Sequence, residues 1–223
     1  MGTTTRDIGR VGAEGTEEVA RVFAGLIDSF AGEARTTALA AHRLLVRGRP
    51  VPTDELARES GLSQAEVERY LAEWSDLKRD EQGRITAIWG LTIERTRHRF
   101  EVEGVHLYTW CAWDTMFIPA LIGKSARVRS RCPSTGTEIS LLSSPEGPSE
   151  LSPQDAVISM LIPRRGFEAD TIGNFCRNVH FFASREAGER WLSARQEIEG
   201  FLLSVEEAFE LGRAYNRYRF GIS

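Results

Sequence analysis

The sequence predicts an α+β protein: an N-terminal helical, winged-helix-like domain followed by a mixed β-sheet domain with flanking helices. Three observations carry this. In the first part of the chain apolar residues recur at steps of three and four, the period of a helix. From Arg84 the period drops to two, the period of a strand with one buried face, and it recurs in several short stretches. The chain then closes on helical patterns, the last opened by Ser204 and Glu207 at capping-box spacing. The expected division is a disordered tail over 1–15, the helical domain over 16–83 and the sheet domain over 84–223.

Residues 1–15 are rich in Gly, Thr and Ala and poor in bulky apolar side chains, the composition of a tail that cannot bury a core. A helix is expected from Thr16, with Val19, Val22, Phe23, Leu26, Ile27 and Phe30 on one side and Gly32 as its break. A second runs from Arg35 to Arg47 and ends at Gly48 before Pro50. A short helix from Thr53, a turn at Gly61 and a helix capped by Ser63 with Glu66 make a helix-turn-helix, and Asp80–Gly83 turns a wing hairpin.

Charge argues against DNA as the partner of that layout. Residues 1–80 hold eleven Lys/Arg against fourteen Asp/Glu, and the would-be recognition helix carries Glu66, Glu68 and Glu73 against Arg69 alone. Phosphate contacts need clustered cations, so the layout reads as a packing module. The whole chain has net charge −4, 41% hydrophobic and 27% charged residues, an ordinary soluble composition with no pull toward nucleic acid or an anionic membrane. No apolar run reaches membrane-span length, and the N-terminus has no apolar signal core. Three cysteines make no complete disulfide framework, which points to a reducing, cytoplasmic setting.

In the second domain Ile85, Ala87, Trp89, Leu91 and Ile93 alternate as one strand, and Arg97–Val102 alternates again before a turn at Glu103-Gly104. The stretch His106–Gly123 is the most apolar and aromatic of the chain, with Pro119 as a kink or restart and Gly123 closing a helix. Ser125–Cys132 alternates cleanly, Arg127, Arg129 and Arg131 forming a solvated face and Cys132 a buried structural thiol. Ile139–Leu142 is a short strand, 143–153 a loop, and Ala156–Ile162 a strand apolar on both faces. Asn174–Phe182 places Cys176 just before or at the start of an aromatic strand.

The chemistry centres on Cys111 and Asp114. If their segment is helical, the i, i+3 spacing puts thiol and carboxyl on one face, where the aromatic surroundings favour the neutral form of each. The bland alternative is a core cysteine beside a helix-capping Asp.

What separates the two is a resemblance to the alkylmercury (organomercurial) lyase family. It rests on Leu107-Tyr-Thr-Trp-Cys-Ala-Trp-Asp-Thr115, on Pro119–Val128, on Cys132, on Phe175-Cys-Arg-Asn-Val-His-Phe-Phe-Ala-Ser184, and on Ser204–Gly212, in order over about 84–216. The resemblance implies that Cys111 and Cys176 bind mercury, that Asp114 handles the proton and that Cys132 is structural. Two positions depart from the family pattern: Arg177 stands where a second cysteine is often found, and Trp113 where a smaller aliphatic residue is common.

The implied reaction is cleavage of a carbon–mercury bond to a hydrocarbon and Hg(II), without a resident cofactor. Its partners would be the organomercurial, low-molecular-weight thiols for turnover and a mercuric reductase as acceptor of Hg(II). The chemistry agrees with the residues, because thiolate is the protein ligand that matches a soft metal and a nearby acid can protonate the leaving carbon. The rival reading is a structural zinc site of Cys111, Cys132, Cys176 and His180, which makes a complete tetrahedral set. Against it, only Cys176 and His180 are close in sequence.

Overall fold

The computed structural model describes residues 29–161, 175–195 and 199–222. The expected tail over 1–15, almost all of the helix expected from Thr16, and Ile162 lie outside the described residues. Helix α1 (Gly32–Leu45) opens the described chain, and α2 (Thr53–Ser60) and α3 (Gln64–Glu73) form the helix-turn-helix. Gly61 ends α2 in the left-handed conformation, and Ser63 with Glu66 makes the expected capping box on α3. The acidic residues of this unit are largely paired within it: Glu55 holds Arg47 and Arg49, and Glu68 holds Arg79 and the hydroxyl of Thr53.

Strands β1 (Leu77–Arg79) and β2 (Ile85–Ile88) form the wing hairpin, with Asp80 accepting from the backbone N–H groups of Gln82 and Arg84. Here the sequence expectation fails in one place. The alternating run 85–93 is not one strand, because the chain reverses at Trp89-Gly90, both at positive φ, and returns as β3 (Leu91–Thr92). All four residues of β2 are buried, so alternation across it reports two covered faces rather than one.

β4 (His98–Val102) and β5 (Val105–Thr109) turn at Glu103-Gly104 as expected. The aromatic stretch then splits: its first residues finish β5, and only Asp114–Ile122 is helical (α4). Pro119 sits inside this one helix. It cannot supply the N–H that would reach the carbonyl of Thr115, and the hydroxyl of Ser143 donates to that carbonyl instead at 2.7 Å. Helix α4 is buried almost all round, which is why its sequence shows no polar face.

β6 (Ala126–Arg131) alternates buried and exposed as the sequence requires. β7 (Glu138–Ser144) and β8 (Gly147–Ser152) occupy most of the segment expected to be a loop. Ser144 makes the tight turn by accepting from the N–H groups of Glu146 and Gly147, and Pro148 is tolerated because β8 is an edge strand. The large sheet runs β1-β2-β3-β5-β4-β6-β7-β8, and every described pair in it is antiparallel.

β9 (Val157–Leu161) is buried throughout and lies at the centre of a small sheet, between β10 (Phe181–Phe182) and β11 (Gly200–Ser204). Helix α5 (Arg185–Ser193) precedes β11, a strand the sequence reading passed over, and α6 (Val205–Phe220) follows it with its capping box in place. Helices α4 and α6 approach closely: a Cβ on Gly212 would lie 3.0 Å from Cβ of Phe117. Asn216 of α6 also donates to the carbonyl of Phe117 at 2.9 Å. This contact fixes α4, and with it Asp114, against the core.

Candidate functional site

Cys111 lies between β5 and α4, and Asp114 is the first residue of α4. The expected shared helical face is therefore corrected. What joins the two residues is a turn, in which one Asp114 carboxylate oxygen reaches back and accepts the N–H of Cys111 at 2.7 Å. The turn is pinned on both sides: the hydroxyl of Thr109 donates to the carbonyl of Cys111, and that of Thr115 to the carbonyl of Ala112.

Cys176 comes from a single 3₁₀ turn, Cys176–Asn178, ahead of β10. Two links carry it to Cys111. Ala112 donates to the carbonyl of Val179 at 3.1 Å, and Ser159 of β9 bridges the carbonyl of Asn178 and the N–H of His180. The result is that the sulfurs of Cys111 and Cys176 and a carboxylate oxygen of Asp114 all lie within 4.8 Å of one another, in a buried group. Cys111 and Cys176 form no disulfide and hydrogen-bond to each other through their side chains.

Burial governs the protonation of Cys111 and Asp114, and at Cys176 it competes with a hydrogen bond. It pushes the Cys111 thiol well up, and the hydrogen bond with Cys176 and the nearby Asp114 charge add to that. It raises the Asp114 carboxyl to about 7, against hydrogen bonds from Cys111 that pull the other way. The Cys111 hydrogen bond favours the Cys176 thiolate, but burial and the Asp114 charge outweigh it and leave that thiol above its ordinary value. Near neutrality the group thus holds two thiols and one carboxyl poised to take or give a proton.

Sequence reasoning missed Gly90 and Asp76. Gly90 lies flat on the Asp114 carboxyl: a Cβ there would be 2.6 Å from its Cγ, so no side chain fits. Only its position in the unforeseen β2–β3 reversal reveals this. Asp76, beside the wing, adds negative potential that raises Asp114 further.

Cys132 and His180 do not join the group, which removes the four-ligand zinc reading. Cys132 is buried just past β6, in a turn closed by its own N–H to the carbonyl of Thr137 and by Gly136 N–H to its carbonyl. His180 stacks on His98 and packs edge-on against Trp191. Trp113 points away from solvent, donates its indole N–H to the carbonyl of Ala208 at 3.0 Å and packs on Phe117, Phe175 and Tyr215.

Known proteins share this arrangement of sequence. The family model described as alkylmercury lyase matches residues 91–217, and one described as the helix-turn-helix domain of alkylmercury lyase matches 24–88. An alkylmercury lyase of Pseudomonas putida is 45% identical over 170 residues, covering 76% of this chain and 78% of that protein. One of Staphylococcus epidermidis is 42% identical over 171 residues, 77% of each chain. One of Streptomyces lividans is 40% identical over the same share of both. In fold, the chain resembles a crystal structure of the mercury-bound form of MerB2, with a TM-score of 0.74 at 21% identity, over 91% of this chain and 98% of that one. Among the described residues no helix is long and apolar enough to cross a membrane.

Proposed function

Because the chain belongs to the alkylmercury lyase family, and is an enzyme of that kind, we propose that Cys111, Cys176 and Asp114 together break the carbon–mercury bond by protonolysis. The observation that carries the proposal is the buried group of two thiols and a carboxyl within 4.8 Å.

The steps balance as follows. An organomercurial arrives as the adduct of a small thiol. One protein thiol replaces that ligand, and its proton leaves on the small thiol. The second protein thiol gives its proton to Asp114 as its sulfur binds mercury. The second thiolate increases electron density on mercury and weakens the bond to carbon. Asp114 then passes the proton to carbon as that bond breaks, and Hg(II) is left bridging the two sulfurs. Two small thiols reclaim it and return the protons to the cysteines, after which a mercuric reductase is the fitting acceptor. The route needs no resident cofactor.

Burial serves each step. High thiol pKa values mean that a base is needed at the moment of binding, and an Asp114 carboxyl near 7 can act as that base and then as the acid. Trp113, held by Ala208 and three aromatic rings, braces α4 and Phe175 against α6 beside the thiol pair's turn. The test is to give the purified, metal-free protein phenylmercury and excess small thiol, and to assay benzene. Catalytic benzene release is expected; release only after zinc is added would refute the proposal.

A further inference from the structure

The large sheet has a second face, away from the thiol pair, and it carries a concentration of positive charge at odds with the net charge of −4. Outward from β4 and β6 point Arg99, Arg127, Arg129 and Arg131, all exposed, with Arg95 and Arg97 in the lead-in to β4. Strand register sets Arg99 directly opposite Arg129, and on its other side opposite Tyr108 of β5. Like charges placed directly opposite on neighbouring strands destabilise a sheet.

Three carboxylates on this face have other partners. Glu101 lies 3.4 Å from His106, Glu150 3.4 Å from Arg127, and Glu138 3.8 Å from Arg131. Among the described residues no carboxylate comes within ion-pair distance of Arg99 or Arg129. Arg95 reaches the hydroxyl of Tyr108 at 3.4 Å, so the row from Arg95 through Tyr108 and Arg99 to Arg129 is cationic, with Glu101 beside it turned to His106. It lines a shallow groove of about 300 Å³.

We propose that this groove docks an acidic segment of a partner protein, with carboxylates set between Arg99 and Arg129. The geometry favours this ligand. A guanidinium holds a carboxylate through two parallel hydrogen bonds, which a hydrated lysine ammonium does not match. Alternate residues of an extended segment stand roughly 6–7 Å apart, the same spacing as Arg127, Arg129 and Arg131 on their own strand. Glu101 also lines the groove, facing His106, and Glu138 and Glu150 pair with the flanking Arg131 and Arg127. A nucleic acid running beyond the groove would meet Glu138 and Glu150, whereas a compact acidic segment would not. This inference does not depend on the lyase reading.

The test uses the full-length protein and a fluorescently labelled peptide alternating Glu and Ser, followed by anisotropy at low salt. Saturable binding that weakens on adding salt is expected. The Arg99→Ser/Arg129→Ser double variant should bind about tenfold more weakly or worse, the scale of one lost charge-assisted hydrogen bond. Its thermal midpoint should equal or exceed that of the parent, since a like-charge contact is removed. Should the double variant fail to fold, the two single variants replace it. No binding, or equal binding by the variants, would overturn the proposal. Tighter binding of a single-stranded oligonucleotide of equal charge, lost in the same variants, would overturn it too and identify the face as a nucleic-acid site.

Discussion

Cys111 and Cys132 are the same residue at nearly the same burial, 0% and 2% exposed, yet their surroundings drive them in opposite directions. Around Cys111 stand a second thiol and a carboxyl, and burial with those neighbours holds its pKa well above the ordinary value. Around Cys132, burial also pushes upward, but the hydroxyl of Thr135 and the N–H groups of Ala183, Ser134 and Thr135 outweigh it and hold the thiol below its ordinary value. Burial alone therefore does not set the protonation of a cysteine. The partners decide: hydrogen-bond donors that satisfy a sulfur make a turn, while a proton acceptor and a second sulfur make a site for a soft metal.

The sharpest way to break this comparison is to replace each sulfur in turn. Cys111→Ser and Cys176→Ser should each abolish turnover of phenylmercury, because a hydroxyl is a poor ligand for mercury. Measurable turnover by either variant would mean that one sulfur is enough.

Asp114 sharpens it through stability. Its carboxyl is raised from 3.8 to about 7 in the folded protein, so the folded state binds the extra proton between those values. The stabilisation this gives is complete below about pH 4 and is lost as pH rises through 7. That difference corresponds to on the order of 4 kcal/mol. Asp114→Asn has no such proton to lose. Denaturant titrations should therefore show the variant gaining on the parent between pH 4 and 8, and parallel curves would contradict the assignment of burial as the cause.

Cys132→Ala should lower stability by roughly 1–3 kcal/mol, since several buried donors lose their acceptor. Benzene release by the folded variant should match the parent; a stable but inactive variant would erase the contrast between the two cysteines. The smallest effect is expected at the support of α4. Ser143→Ala removes the donor to the Thr115 carbonyl and should cost about 1 kcal/mol with little change in turnover, read from urea midpoints.

Much of this was legible in the sequence, and the failures have physical causes. Alternation found β4 and β6, and capping chemistry found α3 and α6, because those signals are local. The one-strand reading of 85–93 failed because the alternation runs through Gly90 unbroken, and Trp89, a bulky residue that rarely does so, enters the left-handed region beside it. β8 was hidden by Pro148 and a serine-rich composition that an edge strand tolerates. At the site, the three residue types and their order were readable, but the turn joining Cys111 to Asp114 was not. Apolar residues around it suggested a continuous helix, while the hydroxyls of Thr109 and Thr115 in fact hold a turn. Gly90 could not be found at all, since its role is an absence of side chain opposite a residue 24 positions later.

The central claim, that Asp114 delivers the proton to carbon, is tested most directly by a single turnover. Asp114→Asn keeps the shape and still offers Cys111 and Cys176 to mercury, but an amide does not transfer its proton near neutrality. Loaded with one equivalent of phenylmercury, it should bind as the parent does and release benzene slower by roughly 10²–10⁴. Benzene release at the parental rate would show that solvent or a thiol supplies the proton, and would leave Asp114 only the task of holding Cys111 in place.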